Sequence, residues 1–181
     1  MDSLEGCSDL NDDSSSDLFK FERQYTDSVT DTRWLDATEM AAWRAFVSTS
    51  HLLERRIEEQ LKADAGLTHP QYEILVVLSE SPGHQMRMTE LARDVVVSKS
   101  ALTYQITQLE KAGLVERATC PSDERGVLAV LTEKGMSRLR QVAPGHVEVV
   151  RAYLIDRLSR EELRAMTSAM RKTEEALRSS A

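Results

Sequence analysis

The segment from Met88 to Leu131 constrains the fold more than any other part of the chain, because its local signals follow one another in a fixed order. A short helical run begins near Thr89, whose side chain suits the N-cap position. Ser98 is the predicted N-cap of a second helix, and Gly113 is expected to follow the last turn of that helix. Two short helices separated by a turn are therefore expected over residues 89–112.

A β-hairpin is predicted directly after these helices. Residues 114–118 and 127–131 are rich in branched and alternating side chains, which is typical of strands. The stretch between them, 119–126, is rich in turn-forming residues. Residues 85–87 are expected to form a brief strand that pairs with this hairpin. Helix, turn, helix and hairpin in this order predict a winged helix-turn-helix, a mostly α fold with a small β-wing.

The second helix is predicted to be amphipathic. Leu102, Ile106 and Leu109 fall on one face at helical spacing. The opposite face contains no acidic residue and presents hydroxyl and amide groups, from Ser100, Thr103, Tyr104, Thr107 and Gln108. Such a face can enter a major groove and form hydrogen bonds with base edges and phosphates. A merely solvated helix surface is the alternative.

Specific roles follow for a helix of this kind if it binds DNA. Ser98 and Lys99 are expected to hold phosphate, through the helix N-terminus and a point charge. Base readout is predicted from Ser100, Thr103 and Thr107, and Tyr104 completes the set of candidates on this helix. In the hairpin, Arg125 is predicted to reach the adjacent minor groove, with Asp123 orienting its guanidinium.

The same region carries a family resemblance over residues 101–135. The matching residues are Ala101-Leu102, Leu109-Glu110, Gly113-Leu114-Val115, Asp123 with Arg125, and Thr132 with Gly135. With these residues at this spacing, the chain resembles the multiple-antibiotic-resistance-repressor (MarR) family of winged-helix regulators. The resemblance implies a transcriptional regulator, usually a repressor that a small ligand releases from DNA. Tyr104 and Glu124 depart from the family pattern, and these departures concern phosphate contacts rather than the fold.

The charge of the chain is unevenly distributed. Nine of its 30 acidic residues and two of its 23 basic residues lie in residues 1–32, so this segment carries the whole net charge of −7. We expect residues 1–32 to be a disordered acidic tail, or alternatively an acidic strip that competes with DNA. The neutral remainder counts mildly against nucleic-acid binding. Binding would therefore depend on local basic groups, namely Arg93, Lys99, Arg117 and Arg125.

The regions on either side of the winged helix-turn-helix, which spans residues 67–131, are predicted to be helical. Residues 33–66 are expected to form one long helix, with Asp36 and Glu39 as a capping box and a stop at Gly66. Residues 132–181 are expected to form further helices, kinked or broken at Pro144-Gly145. Their apolar stripes exceed what a small winged domain can bury. We therefore expect a homodimer, as the resemblance also implies, and a pseudo-palindromic double-stranded DNA site.

The family resemblance also implies a ligand site between the dimer helices and the winged domain. In this family small aromatic acids and phenolic compounds often bind there. The candidate residues are Trp43, Arg44 and His51 on the first helix and Tyr72 on the second. An aromatic ring with a neighbouring cation would suit such an anion. Alternatively, Trp43 and Tyr72 are core or interface residues.

Other chemistry has weaker signals. Cys120 lies near Arg117 and Arg125 in sequence, which could favour its thiolate, so a redox-sensing variant of the regulator is one alternative. The four histidines have no paired metal-ligand spacing, and no catalytic motif is present in the sequence. We expect no enzyme activity, no cofactor and no metal.

The composition sets the remaining expectations. An apolar content of 41% allows a core, and no apolar run approaches the roughly 18 residues of a membrane span. No signal-peptide pattern is present at the start, so we expect a cytoplasmic protein. The function predicted is that of a homodimeric, sequence-specific DNA-binding regulator. A winged-helix protein-interaction module that does not bind DNA is the alternative from a different class.

Overall fold

The computed structural model describes residues 32–95, 97–120 and 123–179, with the backbone alone for residues 123–125. The predicted acidic tail lies outside these residues, apart from Thr32. Internal contacts divide the chain into two units, residues 1–44 and 45–181.

Six helices occur within the described residues: α1 (Ala37–Ala65), α2 (His69–Glu80), α3 (Met88–Asp94), α4 (Lys99–Lys111), α5 (Glu133–Tyr153) and α6 (Arg160–Ser179). Three strands accompany them: β1 (Gln85–Arg87), β2 (Val115–Cys120) and β3 (Asp123–Leu131). Single 3₁₀ turns lie at Pro82–His84 and Ile155–Arg157. The predicted fold class, mostly α with a small β-wing, is confirmed.

The strands form one antiparallel sheet in the order β1-β3-β2. Gln85 lies opposite Val130, which confirms that the brief first strand pairs with the hairpin. The predicted turn over 119–126 is too long, because β2 runs to Cys120 and β3 starts at Asp123, with a register shift after Thr119. Backbone pairing across the hairpin outweighs the local turn preference of these residues.

Most predicted helix ends are confirmed by their hydrogen bonds. The Asp36 N–H donates to Glu39 Oε2 over 2.9 Å and the Glu39 N–H to Asp36 Oδ1 over 2.8 Å, so the capping box of α1 is formed. Thr68 and Gln71 form a second capping box at α2. The predicted N-cap Thr89 is wrong: α3 begins one residue earlier, directly after β1, and Arg87 makes no side-chain capping bond.

Helix α5 passes through Pro144 without a break, so the predicted break there is wrong. Proline removes one backbone donor, and the other bonds of a 21-residue helix hold the segment together. Gly145 follows at a close contact with α1. A Cβ at this position would lie 2.8 Å from Gln60 Nε2 and 2.9 Å from Asp64 Oδ2. Both atoms are the ends of flexible side chains, which can move aside.

The core lies between the helices α2–α5, the end of α1 and the inner face of the sheet. Its fully buried large side chains are Leu61, Ile74, Leu75, Leu78, Leu91, Leu102, Ile106, Leu109, Val115 and Val142. Burial of each such side chain contributes about 1.5–3 kcal/mol. Helix α6 contributes no buried residue among those described, although its sequence is amphipathic.

The junction between the wing and α5 depends on Gly135. The Thr132 hydroxyl caps α5 by accepting from the Gly135 N–H over 3.0 Å, and the Thr132 N–H donates to Leu114 O over 3.1 Å. A Cβ on Gly135 would overlap Leu114 O and lie 2.7 Å from Leu131 Cδ1. Only glycine allows α5 to start this close to the strand ends.

We predict that Gly135→Ala destabilises the protein, although the same change in an open helix stabilises by about 1 kcal/mol. The overlap with backbone leads us to expect a loss of about 1–3 kcal/mol in the free energy of unfolding. Urea denaturation measures it. Gly145→Ala is the matched control, because its Cβ meets the ends of flexible side chains. An equal loss for both variants would contradict the explanation.

Candidate nucleic-acid interface

Helix α4 is held by its apolar stripe and exposes the opposite face. Leu102, Ile106 and Leu109 are each 1% exposed or less. On the other side Tyr104 is 62% exposed, and Ser100 and Thr103 are also exposed. Burial of the stripe fixes which side chains a molecule approaching α4 would meet.

The N-terminus of α4 is capped and carries no acid. The Ser98 hydroxyl oxygen accepts from the Ala101 N–H over 3.2 Å, and it lies 3.1 Å from Ser100 Oγ. The first turn has no acidic side chain, and Lys99 is exposed. Partial positive charge at a helix N-terminus together with a lysine suits a phosphate group. The roles of Ser98 and Lys99 stay predictions.

The two threonines of α4 use their hydroxyl protons within the helix. Thr103 Oγ1 donates to Lys99 O and Thr107 Oγ1 donates to Thr103 O, each over 2.8 Å. A hydroxyl has one donor and two acceptor positions, so in this arrangement both can only accept further bonds. Thr107 already accepts from Arg117 Nη2 over 3.1 Å. Its hydroxyl is therefore less available for base readout than that of Thr103.

Arg117 on β2 connects the wing to α4. Its Nη1 donates to the Glu110 carboxylate, and its Nη2 donates to Thr103 O over 3.3 Å. Arg117 therefore points towards α4. At the end of β2, Cys120 is buried, with 7% of its surface exposed. Asp123 and Arg125 belong to β3 by their backbone, and their side chains lie outside the described residues. Their predicted roles stay predictions.

A groove of about 410 Å³ lies where α2, α5 and the end of α3 meet. Its walls are His69, Tyr72, Glu73, Val76, Val77, Asp94, Val95 and His146. The rings of Tyr72 and His146 are 4.5 Å apart, and those of His69 and His146 are 6.1 Å apart. Tyr72 is 7% exposed. The groove is thus partly aromatic, with two imidazoles at one side.

The four predicted ligand residues do not lie together in this groove. Tyr72 lines the groove, whereas His51 is exposed on α1 and is not among the groove residues. Trp43, at 45% exposure, and Arg44 lie on the part of α1 that belongs to the N-terminal unit. Of the four candidates, Tyr72 is therefore the one that the structure places in the groove.

Carboxylates surround His69 on the other side. His69 Nδ1 lies 2.8 Å from Glu54 Oε2, and the His69 N–H donates to Glu58 Oε2 over 2.6 Å. Burial raises the pKa of Glu73, whose Oε1 lies 3.8 Å from His69 Nε2. Burial, and then the nearby charge of His69, lowers the pKa of His146. Within the described ranges, no three potential ligands are arranged to hold a metal ion.

Comparison with known proteins decides the family. Residues 67–127 match the model of the MarR family. The crystal structure of AbsC, a MarR family transcriptional regulator from Streptomyces coelicolor, aligns with a TM-score of 0.79 at 48% identity, covering 82% of this chain and 99% of AbsC. The chain belongs to the MarR family. The resemblance in the sequence is therefore confirmed.

Two further relatives agree with this assignment. The crystal structure of Sco3205, a MarR family transcriptional regulator from Streptomyces coelicolor in complex with DNA, aligns with a TM-score of 0.79 at 43% identity, covering 82% of this chain and 93% of Sco3205. The HTH-type transcriptional repressor YetL from Bacillus subtilis is 32% identical over 98 residues, which span 54% of this chain and 59% of YetL. These proteins are regulators, which confirms that this MarR-family chain is a regulator and not an enzyme.

Two parts of the site were missed by sequence reasoning. His69 and His146 are 77 positions apart in sequence, so no local spacing relates them. Arg117 and Glu110 are seven positions apart, with a helix end and a turn between them, so no helical or strand spacing relates them.

Among the described helices, none is long and apolar enough to cross a membrane.

We predict that protonation of His146 opposes folding of this MarR-family chain. Because its pKa is lowered in the folded protein, the unfolded chain binds the proton first as the pH falls below about 6.5. The stability contribution is complete above that pH and is lost as the pH falls towards the lowered pKa. Urea unfolding from pH 8 to pH 5 measures this loss.

The variant His146→Gln isolates the effect. It removes the titrating ring, so its free energy of unfolding should fall less between pH 7 and pH 5 than that of the wild type. His51→Gln, at an exposed position on α1, is the control and should keep the wild-type slope. Identical slopes for His146→Gln and the wild type would show that His146 is not responsible.

Proposed function

We propose that this MarR-family chain is a homodimeric repressor that binds double-stranded DNA at a pseudo-palindromic site, in the cytoplasm. The observation that carries the proposal is the exposed, acid-free outer face of α4, from Ser100 to Gln108, held next to a β-hairpin. A helix of this kind fits a B-DNA major groove, where its side chains meet base edges. Sco3205, at 43% identity, is described in complex with DNA.

The roles on α4 follow from its geometry. Lys99 and the capped helix N-terminus contact phosphate, and Ser100, Thr103 and Tyr104 face the base edges. Arg125, with Asp123, is proposed to contact the adjacent minor groove from the wing, as in the sequence-based prediction. Residues 33–181 carry no net charge, so attraction to DNA depends on the basic groups at this surface.

Exposed apolar side chains support the homodimer. Outside the N-terminal unit, eight large apolar side chains are exposed among the described residues, and six of them lie on α1, α5 and α6: Phe46, Leu52, Val147, Tyr153, Met170 and Leu177. An amphipathic helix such as α6, with no buried residue in the isolated chain, gains its stability from packing against something else. A second copy gives each such helix an apolar partner. It also sets two α4 helices about one DNA turn apart.

Selection from a random duplex library tests the proposed function. We expect enrichment of an inverted repeat, and an affinity for the selected site that falls steeply as the salt concentration rises. The titration should be made at 50 and 200 mM salt with a scrambled duplex as the reference. Failure to enrich any sequence would refute the regulator function and favour a protein-interaction module.

We predict that Thr103→Ala weakens binding to the selected site about 5- to 20-fold, because one base contact is worth about 1–3 kcal/mol. Thr167→Ala is a closely matched control. Thr167 is an exposed helical threonine of α6 whose Oγ1 donates to Leu163 O over 2.8 Å, as Thr103 Oγ1 does to Lys99 O. Electrophoretic mobility shifts measure both. Equal affinities would exclude Thr103 as a reader.

The groove beside Tyr72 is our proposed site for a small aromatic acid that releases the DNA. It has aromatic and valine walls, and its polar lining consists of the imidazoles of His69 and His146, which can donate N–H bonds to a carboxylate, and of Glu73 and Asp94. Because the groove lies between α2, the end of α3 and α5, a ligand bound there would contact helices of the winged domain. Trp43, Arg44 and His51 stay sequence-based predictions of ligand residues.

We predict that salicylate, as a representative aromatic acid, binds this groove and that Tyr72→Phe weakens it about tenfold. The variant keeps the ring packing and removes one hydrogen bond to an anion, worth about 1.5–3 kcal/mol. Isothermal titration calorimetry measures the affinity, and Tyr153→Phe, at an exposed tyrosine, is the control. No saturable heat with the wild type would refute the aromatic-acid site.

A further inference from the structure

We propose that Arg117 is the positioning residue of the α4 reading face, and that it fixes the rotation of α4 relative to the wing. The proposal rests on the proposed DNA-binding function and deepens it. Arg117 is anchored on β2, and its guanidinium spans three positions of α4: Thr103 O, the Thr107 hydroxyl and the Glu110 carboxylate. A single side chain therefore ties the strand to two successive turns of the helix.

The three anchor points lie along one line of the helix surface. Positions 103, 107 and 110 follow the i, i+4, i+7 spacing of a helical stripe. The apolar stripe of Leu102, Ile106 and Leu109 lies beside it and is buried in the core. Burial of that stripe decides which face of α4 points inward, but apolar contacts are non-directional and restrain small rotations about the helix axis only weakly. Directed hydrogen bonds from a planar guanidinium oppose that turn.

The environment of the pair strengthens this restraint. The Arg117 side chain is 32% exposed and that of Glu110 is 28% exposed, so solvent screens them less than a fully exposed pair. For comparison, the Arg178–Glu174 ion pair joins neighbouring turns of α6, and its two side chains are 49% and 59% exposed. Of these two pairs, only Arg117–Glu110 joins two different elements.

One consequence concerns the choice of reading residues. Thr107 donates to Thr103 O and accepts from Arg117, so its hydroxyl faces the wing contact. The readers that remain are Ser100, Thr103 and Tyr104, on the exposed turns nearer the N-terminus of α4. The sequence-based assignment of Thr107 to base readout is replaced in this proposal by a role in holding Arg117.

A positioning arginine and a phosphate-binding arginine give different signatures. Loss of a phosphate contact weakens all duplexes about equally and lowers the salt slope by about one. Loss of positioning leaves the salt slope unchanged. It reduces the ratio between the affinities for the selected and the scrambled duplex, because the readers no longer meet their base edges in register.

The experiment compares the wild type, Arg117→Ala, Glu110→Gln and Arg178→Ala on the selected and scrambled duplexes at two salt concentrations. We expect Arg117→Ala and Glu110→Gln each to lower the affinity ratio about tenfold, the size of one lost base contact. Arg178→Ala removes the same charge from an ion pair of α6 and should keep the wild-type ratio. Circular dichroism and thermal unfolding verify that each variant is folded.

Glu110→Gln is the most diagnostic variant. Removing an acid close to DNA would strengthen binding to both duplexes if Arg117 were a phosphate ligand, whereas we expect poorer discrimination. The double variant should be no worse than Arg117→Ala, because both changes break the same contact. Thr107→Val should retain the wild-type base preference, since the charge-assisted bond from Arg117 to Glu110 and the bond to Thr103 O remain.

The outcomes separate this proposal from the function on which it rests. If the wild type selects no sequence, the proposed function fails. If the wild type selects a site and Arg117→Ala keeps its affinity ratio, or lowers the salt slope with the ratio unchanged, the positioning role is refuted while the regulator function stands. A changed base preference for Thr107→Val would overturn the assignment of the readers.

Discussion

Burial of the apolar stripe of α4 is the constraint on which the rest of the site depends. Leu102, Ile106 and Leu109 are almost completely buried, and burial of each contributes about 1.5–3 kcal/mol to stability. Because these three positions must face inward, the polar positions of the same helix must face outward. The stability of the winged domain and the composition of its exposed face are therefore two results of one packing requirement.

Polar contacts add what apolar packing leaves undetermined. The Thr132 and Gly135 junction fixes where α5 leaves the sheet, and it works because backbone atoms come closer than any Cβ would permit. Across the wing, Arg117 supplies directed bonds to α4. At the other end of the domain, His146 packs on Tyr72 in the angle between α5 and α2. Each of these contacts joins two different elements of the domain.

The long helices expose apolar side chains that the single chain does not bury. Helix α6 buries none of its described side chains, and large apolar groups on α1 and α5 are exposed. A chain that exposed this much apolar surface in solution would be prone to association. In the proposed two-fold dimer the same surface would form the interface, and its symmetry would match that of the proposed inverted-repeat DNA site. In this proposal, dimerisation and the geometry of the DNA site both depend on these helices.

The sequence by itself determined the local structure of this protein: the capping residues Asp36 and Ser98, the glycine after α4, and the periodicity that separates the two faces of that helix. These features depend on neighbours within a few residues, so a linear pattern records them. Only the tertiary structure decided that α5 continues through Pro144, that β2 and β3 extend into the predicted turn, and that Arg117 lies on α4 beside Thr107. The reason is that backbone pairing and side-chain contacts between remote segments form only after the chain has packed, and their strength then exceeds that of local preference.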